Sequence, residues 1–424
     1  MLKKVSKSKP LKGEITIPAD KSISHRVIML ASLAKGDSVI SNFSSGADCW
    51  STLNIFKQLG VEVNEIDKKT IVIKSDGNLK KSHTPLDAGN SGTTTRLLAG
   101  ILAGQNFDSQ IIGDESLSKR PMKRIILPLT QMGAKIDSTD NHLPLNIYGR
   151  KLHGITYISP IASAQVKSSI LLAGLNAEGS TTVIEPAQSR NHTELMLKYM
   201  GAEIKVNNNE VTVYPSELMA KNIEIVGDIS SAAFFIVAGL LIPESDFVIK
   251  NVGINPTRTG ILEIVSRMGG GINIINEREL SGEKCADIHV QYTDNLKGCT
   301  IEGNDIPKLI DELPIIAVLA SQAEGETIVK NAEDLRNKEA DRITSLVTEL
   351  KKLGVNIEET PDGFIVCGSG KLKGDAELEC YHDHRLAMSF YVAGLLCEQA
   401  VAINGFEWIN ISFPEFESLI EYLQ

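Results

Sequence analysis

Residues 20–32 read DKSISHRVIMLAS: a polar, cationic start, an apolar run, then Ala31 followed by a small residue. Five more segments repeat that plan: NSGTTTRLLAG (90–100), SAQVKSSILLAG (163–174), DISSAAFFIVAG (228–239), DELPIIAVLAS (311–321) and HDHRLAMSFYVAG (382–394). Their marker alanines, Ala31, Ala99, Ala173, Ala238, Ala320 and Ala393, lie 65 to 82 residues apart. A chain of 424 residues divided among six copies gives roughly 71 each, as an internal repeat requires. A second marker, [L/M]-G-x-x-[V/I], recurs as LGVEV (59–63), MGAKI (132–136), MGAEI (200–204), MGGGI (268–272) and LGVNI (353–357). It describes a helix that ends at a C′ glycine and is followed at once by a strand. Each copy then reads β-α-β-α-β-β.

Three copies make a lobe, so the expected architecture is α/β with two lobes of three βαβαββ repeats. One lobe is expected over 20–226, and the other over 227–424 together with 1–19. The sixth copy lacks its second marker and ends in PEFESLIEYL (414–423), whereas LKGEITI (11–17) is a strand with no helix before it. That N-terminal strand is therefore expected to complete the sixth repeat. Two chain crossings, near 18–20 and 227–228, would permit hinge closure over a cleft holding the active site.

Lys plus Arg number 43 and Asp plus Glu 53, for a formal charge of −10. A general nucleic-acid or anionic-membrane binder needs a basic face, and this balance argues against one. The six cysteines form no C-x-x-C pair, which points to reduced thiols in a cytoplasm. The N-terminus has no signal-peptide core, and the longest strongly apolar run, 232–243, is too short to span a bilayer.

Positive sites must then be local. A helix N-terminus offers unpaired N–H groups and a positive dipole end, which suit small anions. DISSAAFF reads as an ordinary N-cap. DKSISHR crowds Lys21, Ser22, Ser24, His25 and Arg26 into a turn and a half, more than capping needs. HDHR does the same with His382, His384 and Arg385, and NSGTTTR sets Gly92 among hydroxyls, where backbone can approach a phosphate. ESLSKRPM (115–122) adds Lys119 and Arg120. DLRNKEADR (334–342) puts Lys338 and Arg342 at i,i+4, where like charges repel unless an anion lies between them.

These motifs, DKSISHR, GNSGTTTR, SKRPM, SAQVKSS, GDISSAAF, RNKEADR and DHRLAM, together resemble the 5-enolpyruvylshikimate-3-phosphate (EPSP) synthase family, in its order and across the whole chain. The resemblance implies the two-lobed six-repeat fold and transfer of the enolpyruvyl group of phosphoenolpyruvate to the 5-hydroxyl of shikimate 3-phosphate. It implies no metal and no organic cofactor, and a cytoplasmic monomer that is a target of the herbicide glyphosate. Lys21, Ser22, Arg26, Ser163, Gln165, Asp311 and Lys338 match the shikimate-phosphate contacts. Lys21, Gly92, Arg120, Gln165, Arg342 and Arg385 match the phosphoenolpyruvate contacts. Asp311, Glu339 and Lys21 match the proton-transfer groups. The chain departs from some members at Ala164, Asp334 and Ile411, and SRNHTEL (189–195) resembles the branch reading Ser-Arg-Asp-His-Thr-Glu.

Charge counting agrees. Two phosphates at about −1.5 to −2 each and two carboxylates face six formal positives, Lys21, Arg26, Arg120, Lys338, Arg342 and Arg385. Their mutual repulsion is expected to hold an empty cleft open. Three rivals fit less well. The UDP-N-acetylglucosamine enolpyruvyl transferases carry a cysteine in the loop that here reads DESLSKRPM. An RNA 3′-phosphate cyclase would bind RNA, against the net charge. A non-catalytic anion scaffold has no need of both Asp311 and Glu339.

Overall fold

The computed structural model describes residues 1–44, 46–368 and 370–424. Six marker helices organise it: α1 (Lys21–Leu33), α2 (Gly92–Ala103), α3 (Ala164–Gly174), α4 (Ile229–Leu241), α5 (Leu313–Ser321) and α6 (His384–Leu396). These helices are apolar nearly all round, which is the pattern of a buried helix. All thirteen residues of α4 are buried. Side chains of Asp20, Ser91, Asp228 and Asp383 cap α1, α2, α4 and α6, taking the N–H groups that a buried helix end would otherwise leave without partners.

Each marker helix is served by a small sheet. In the second repeat the order is Leu86–Asp87, Ser109–Ile112, His142–Tyr148, Lys135–Thr139, with the first pair parallel and the rest antiparallel. The third, fourth and fifth repeats keep this order. Gly60, Gly133, Gly201, Gly269 and Gly354 all have φ between 83° and 96°. The left-handed backbone that a C′ position demands therefore falls on the glycine of every second marker.

The contacts divide the chain into two compact bodies. One holds 19–225 and 279–283; the other holds 1–18, 226–278 and 284–424. Residues 279–283, expected with the second lobe, go with the first. There Glu283 meets His192 Nδ1 at 2.6 Å, and Ser281 Oγ accepts from the Glu224 N–H at 3.0 Å. The N-terminus also differs from expectation. Lys12–Thr16 lies parallel to Asp246–Gly253 and completes the fourth sheet, not the sixth. The sixth sheet is closed by Leu2–Val5, antiparallel to Val401–Asn404. The short, lysine-rich MLKKV carries too little apolar alternation to announce a strand, and its partners are contributed from almost 400 residues away. In the first repeat the same edge position is filled by Leu218–Met219 and Ile223–Glu224. No helix among the described residues is long and apolar enough to cross a membrane.

The residue after each marker alanine shows why it is small. A Cβ at Gly100 of α2 would fall 2.1 Å from the Ser169 carbonyl oxygen of α3. At Gly239 it would lie 2.5 Å from the Phe247 ring, and at Gly394 2.6 Å from Val401. In the first and fifth copies Ser32 and Ser321 take this place, both buried.

The helix starts are tied together as well. His25 Nδ1 lies 2.7 Å from Thr52 Oγ1, which lies 2.6 Å from Thr94 Oγ1, whose hydroxyl donates to Ser91 Oγ at 2.7 Å. This buried chain joins α1 to the cap of α2. Burial, reinforced by the charges of Lys21 and Arg26, pushes the His25 pKa well below its ordinary value.

Two outcomes follow from this packing. Gly100→Ala must separate α2 from α3, an overpacking cost of about 1–3 kcal/mol or more, read as a lower Tm. His25 stays neutral in the folded protein at a pH where the unfolded chain protonates it. The unfolded state then binds the extra proton, and stability falls as pH drops below about 6.5, by up to about 1.4 kcal/mol per pH unit. His25→Asn should flatten that slope in denaturant titrations between pH 7 and 5, and parallel curves would show that His25 contributes nothing to it.

Candidate active site

In the 19–225 body, α1 starts at Lys21, so Lys21 and Ser22 occupy its half-exposed first turn. Lys21 Nζ lies 3.0 Å from Asp48. Ser24 and His25 turn inward and are buried, so the DKSISHR cluster splits into a surface part and an interior part. Arg26 is 3% exposed, and its guanidinium is fixed in place. It donates to Ser22 O at 2.9 Å, Thr193 Oγ1 at 2.7 Å and Ser168 Oγ at 3.0 Å.

A second group forms at the start of α2. Arg120 donates to Asn90 Oδ1 at 2.8 Å. Gln165, one residue inside α3, accepts from Arg96 at 2.7 Å and donates to Thr93 Oγ1 at 3.0 Å. A Cβ at Gly92 would lie 2.7 Å from Arg96 Nη1 and 3.7 Å from Arg120 Nη1. Gly92, Arg120 and Gln165 thus converge, and Arg96 joins them. Sequence reasoning passed over Arg96 although it ends the quoted NSGTTTR motif. Its i+4 spacing from Gly92, on one helix face, was the available signal. Ser163 precedes α3 in extended conformation; its hydroxyl makes no capping bond, and its N–H donates to Glu185 at 3.0 Å.

In the other body, three sequence-predicted cations surround the carboxylate of Asp311, and Glu339 joins the group through Arg342. Asp311 Oδ1 lies 3.4 Å from Arg342 Nη1 and 3.7 Å from Lys338 Nζ, and Asp311 Oδ2 lies 3.9 Å from Arg385 Nη2. Arg342 donates to Glu339 at 2.7 Å and to Asp383 at 2.7 and 3.3 Å. Arg342 is 1% exposed. Burial by itself would lower its pKa, but the charges of Asp383, Glu339 and Asp311 outweigh that and raise it, so the guanidinium is permanently charged.

Three sequence readings change here. Lys338 and Arg342 are not an i,i+4 helical pair. Asp341 caps the helix Arg342–Lys352, taking the N–H groups of Ile343 and Thr344, and Lys338 is extended before it. The anion between the two cations includes the protein's own Asp311. Of HDHR, Arg385 joins this group, whereas the His382 ring packs against Trp408, centroids 4.7 Å apart and planes tilted by 33°. Asp228 of DISSAAFF caps α4 as expected and also accepts from Arg258 at 3.1 Å. Lastly, Lys21, Lys338, Arg342 and Arg385 each have a carboxylate within 4 Å, so their repulsion is weaker than the formal count implied.

The wider comparison fits this arrangement. The family model described as EPSP synthase (3-phosphoshikimate 1-carboxyvinyltransferase) matches residues 5–420. A protein of that name from Thermoanaerobacter sp. (strain X514) is 51% identical over 422 residues, 99% of each chain. Another from Thermodesulfovibrio yellowstonii is 51% identical over 426 residues, again 99% of each. A solved EPSP synthase structure from Acinetobacter baumannii superposes with a TM-score of 0.89 at 43% identity, covering 100% of this chain and 98% of that one. With near-complete coverage and about half of all positions identical, this chain belongs to the EPSP synthase family.

Proposed function

We propose that the chain transfers the enolpyruvyl group of phosphoenolpyruvate to the 5-hydroxyl of shikimate 3-phosphate, releasing phosphate, as a cytoplasmic monomer in aromatic biosynthesis. The observation that carries this reading is the Asp311 cluster, where two carboxylates that can move protons sit among cations that can hold anions. Asp311 accepts the proton of the attacking 5-hydroxyl. Glu339, steered by its bond to Arg342, delivers a proton to the methylene carbon, with Lys21 as a further acid. The resulting tetrahedral ketal expels phosphate when the methyl group returns a proton. Lys338, Arg342 and Arg385 stabilise the negative charge carried through these steps.

The remaining residues divide the substrates' charged ends. Ser22, Arg26 and Ser163 serve the phosphate of shikimate 3-phosphate. Gly92 and Arg120 serve phosphoenolpyruvate, and Gln165 touches both. Arg96, held by Gln165 and facing Gly92, belongs with that second group.

Phosphate release from the two substrates, followed without ATP or added metal, tests the reading directly; no release at saturating concentrations refutes it. In the same assay Asp311→Asn and Glu339→Gln should keep substrate binding and lose about 10²–10⁴-fold in kcat, the usual worth of a general acid or base. Near-normal turnover of either variant removes that residue from the mechanism. Glyphosate is expected to inhibit by occupying the phosphoenolpyruvate position. Gly92→Ala puts a methyl group 2.7 Å from the Arg96 guanidinium and 3.7 Å from that of Arg120, so Arg96 must shift. The glyphosate inhibition constant should rise about tenfold or more, a change of about 1.4 kcal/mol, with a smaller rise in the KM for the shorter phosphoenolpyruvate. Equal proportional losses for both ligands would refute this steric account.

A further inference from the structure

Lys167 sits one turn into α3, its N–H donating to the Ser163 carbonyl at 3.0 Å. Its side chain is 2% exposed, so it is sealed away from any bound substrate. The ammonium lies 2.9 Å from Glu185 Oε2 and 2.7 Å from Glu194 Oε1, and donates to the Ser189 carbonyl at 3.3 Å. Both carboxylates are as buried as the lysine. Taking three charges out of water is costly, and apolar side chains of similar volume commonly hold a core as well or better. Stability alone therefore does not account for this triad, and what its arms hold does.

One arm is Glu185. Its Oε1 accepts from the Ser163 N–H at 3.0 Å, and its Oε2 from the Ser189 hydroxyl at 2.8 Å. Glu185 thereby pins the backbone of the residue that precedes α3, and the Ser163 hydroxyl is not spent on capping. The other arm is Glu194, in the first turn of the helix His192–Tyr199. Next to it, Thr193 Oγ1 accepts from Arg26 Nε at 2.7 Å and shares a 2.7 Å hydrogen bond with Ser168, the residue after Lys167. Ser168 in turn accepts from Arg26 Nη2 at 3.0 Å. One buried ammonium thus fixes two neighbouring groups, Ser163 through Glu185 and Arg26 through the Glu194–Thr193 turn. Without it, two carboxylates drawn to the same point repel, and each pulls its attached group out of place.

We propose that Lys167, with Glu185 and Glu194 as its arms, is a positioning residue for the phosphate end of the shikimate 3-phosphate site. This rests on the assignment of Ser163 and Arg26 to that phosphate. The triad acts on one substrate and leaves the chemical step alone, because its bonds reach Ser163 and Arg26 and touch neither Gly92 nor Arg120.

The test is steady-state kinetics on the full chain, with each KM and kcat measured separately and Tm recorded. Lys167→Met should raise the KM for shikimate 3-phosphate about tenfold or more, in line with the large penalty for misplacing a binding group by about an ångström. The KM for phosphoenolpyruvate and kcat should stay within about threefold, and Lys167→Arg should restore most of the loss. Glu185→Ala leaves a balanced Lys167–Glu194 pair and should give the same selective rise; it decides the matter alone should Lys167→Met not fold. An unchanged shikimate 3-phosphate KM in the folded variants overturns the proposal, as do equal changes in all three constants with a lower Tm. Ser163→Ala and Arg26→Ala separate the two layers. If both leave that KM unchanged, the site assignment itself has failed; if they raise it while the triad variants do not, only the positioning role has.

Discussion

A helix buried on every side must bring its own partners for the N–H groups of its first turn, and four of the six marker helices do so with a capping side chain. The marker helices are apolar around their full circumference, so packing alone cannot satisfy their ends. Asp20, Ser91, Asp228 and Asp383 meet the demand locally, and Glu185 takes the N–H of Ser163, the residue just before α3. The same need concentrates polar and charged residues at the helix starts while the rest of each helix remains core. Chemistry and packing are thereby separated along a single helix, with small residues at one end for close approach and hydrogen-bonding residues at the other.

Much of this was legible in the sequence because it is local. A C′ glycine, a capping aspartate and a small residue after alanine each act within a few residues of their own position, and all five second-marker glycines take the left-handed conformation their spacing implied. What was not legible depends on partners distant in the chain. Whether LKGEITI serves the fourth sheet or the sixth is decided by registry with residues 246–250. Lys338 and Arg342 have helical spacing in the sequence, but Asp341 caps a helix that begins only at Arg342 and leaves Lys338 extended. The sequence gives Arg96 no evident role because its partner, Gln165, comes from the next repeat. The roles proposed for the site residues come from the resemblance; the residue pattern alone points to anion binding and no further.

The cations are held in place before any ligand arrives, and carboxylates do much of the holding. Arg342 is the extreme case, with three acidic side chains around one buried guanidinium. Fixed charges of this kind need little reorganisation when a substrate enters, which is the condition for strong electrostatic stabilisation of a transition state. The cost is that an anion bound at Lys21, Lys338, Arg342 or Arg385 would share its cation with a protein carboxylate. Net affinity is then a difference between two large attractions, and small displacements of the acidic partner weigh heavily on it.

Leu2–Val5 and Lys12–Thr16 close sheets whose other strands lie beyond residue 245, whereas the 19–225 body takes nearly all its residues from one continuous stretch. On the ribosome these two bodies have different histories. All of the continuous one but residues 279–283 has been made when little more than half the chain is finished, and domains generally fold as units from the N-terminal side. The first eighteen residues emerge before everything else yet must wait for strands translated roughly 10–80 s later, at about 5–20 residues per second. During that interval they are an unpaired edge-forming segment, and its run of lysines in LKKVSKSKPLK is the kind of charge that keeps such a segment from pairing with the wrong strand.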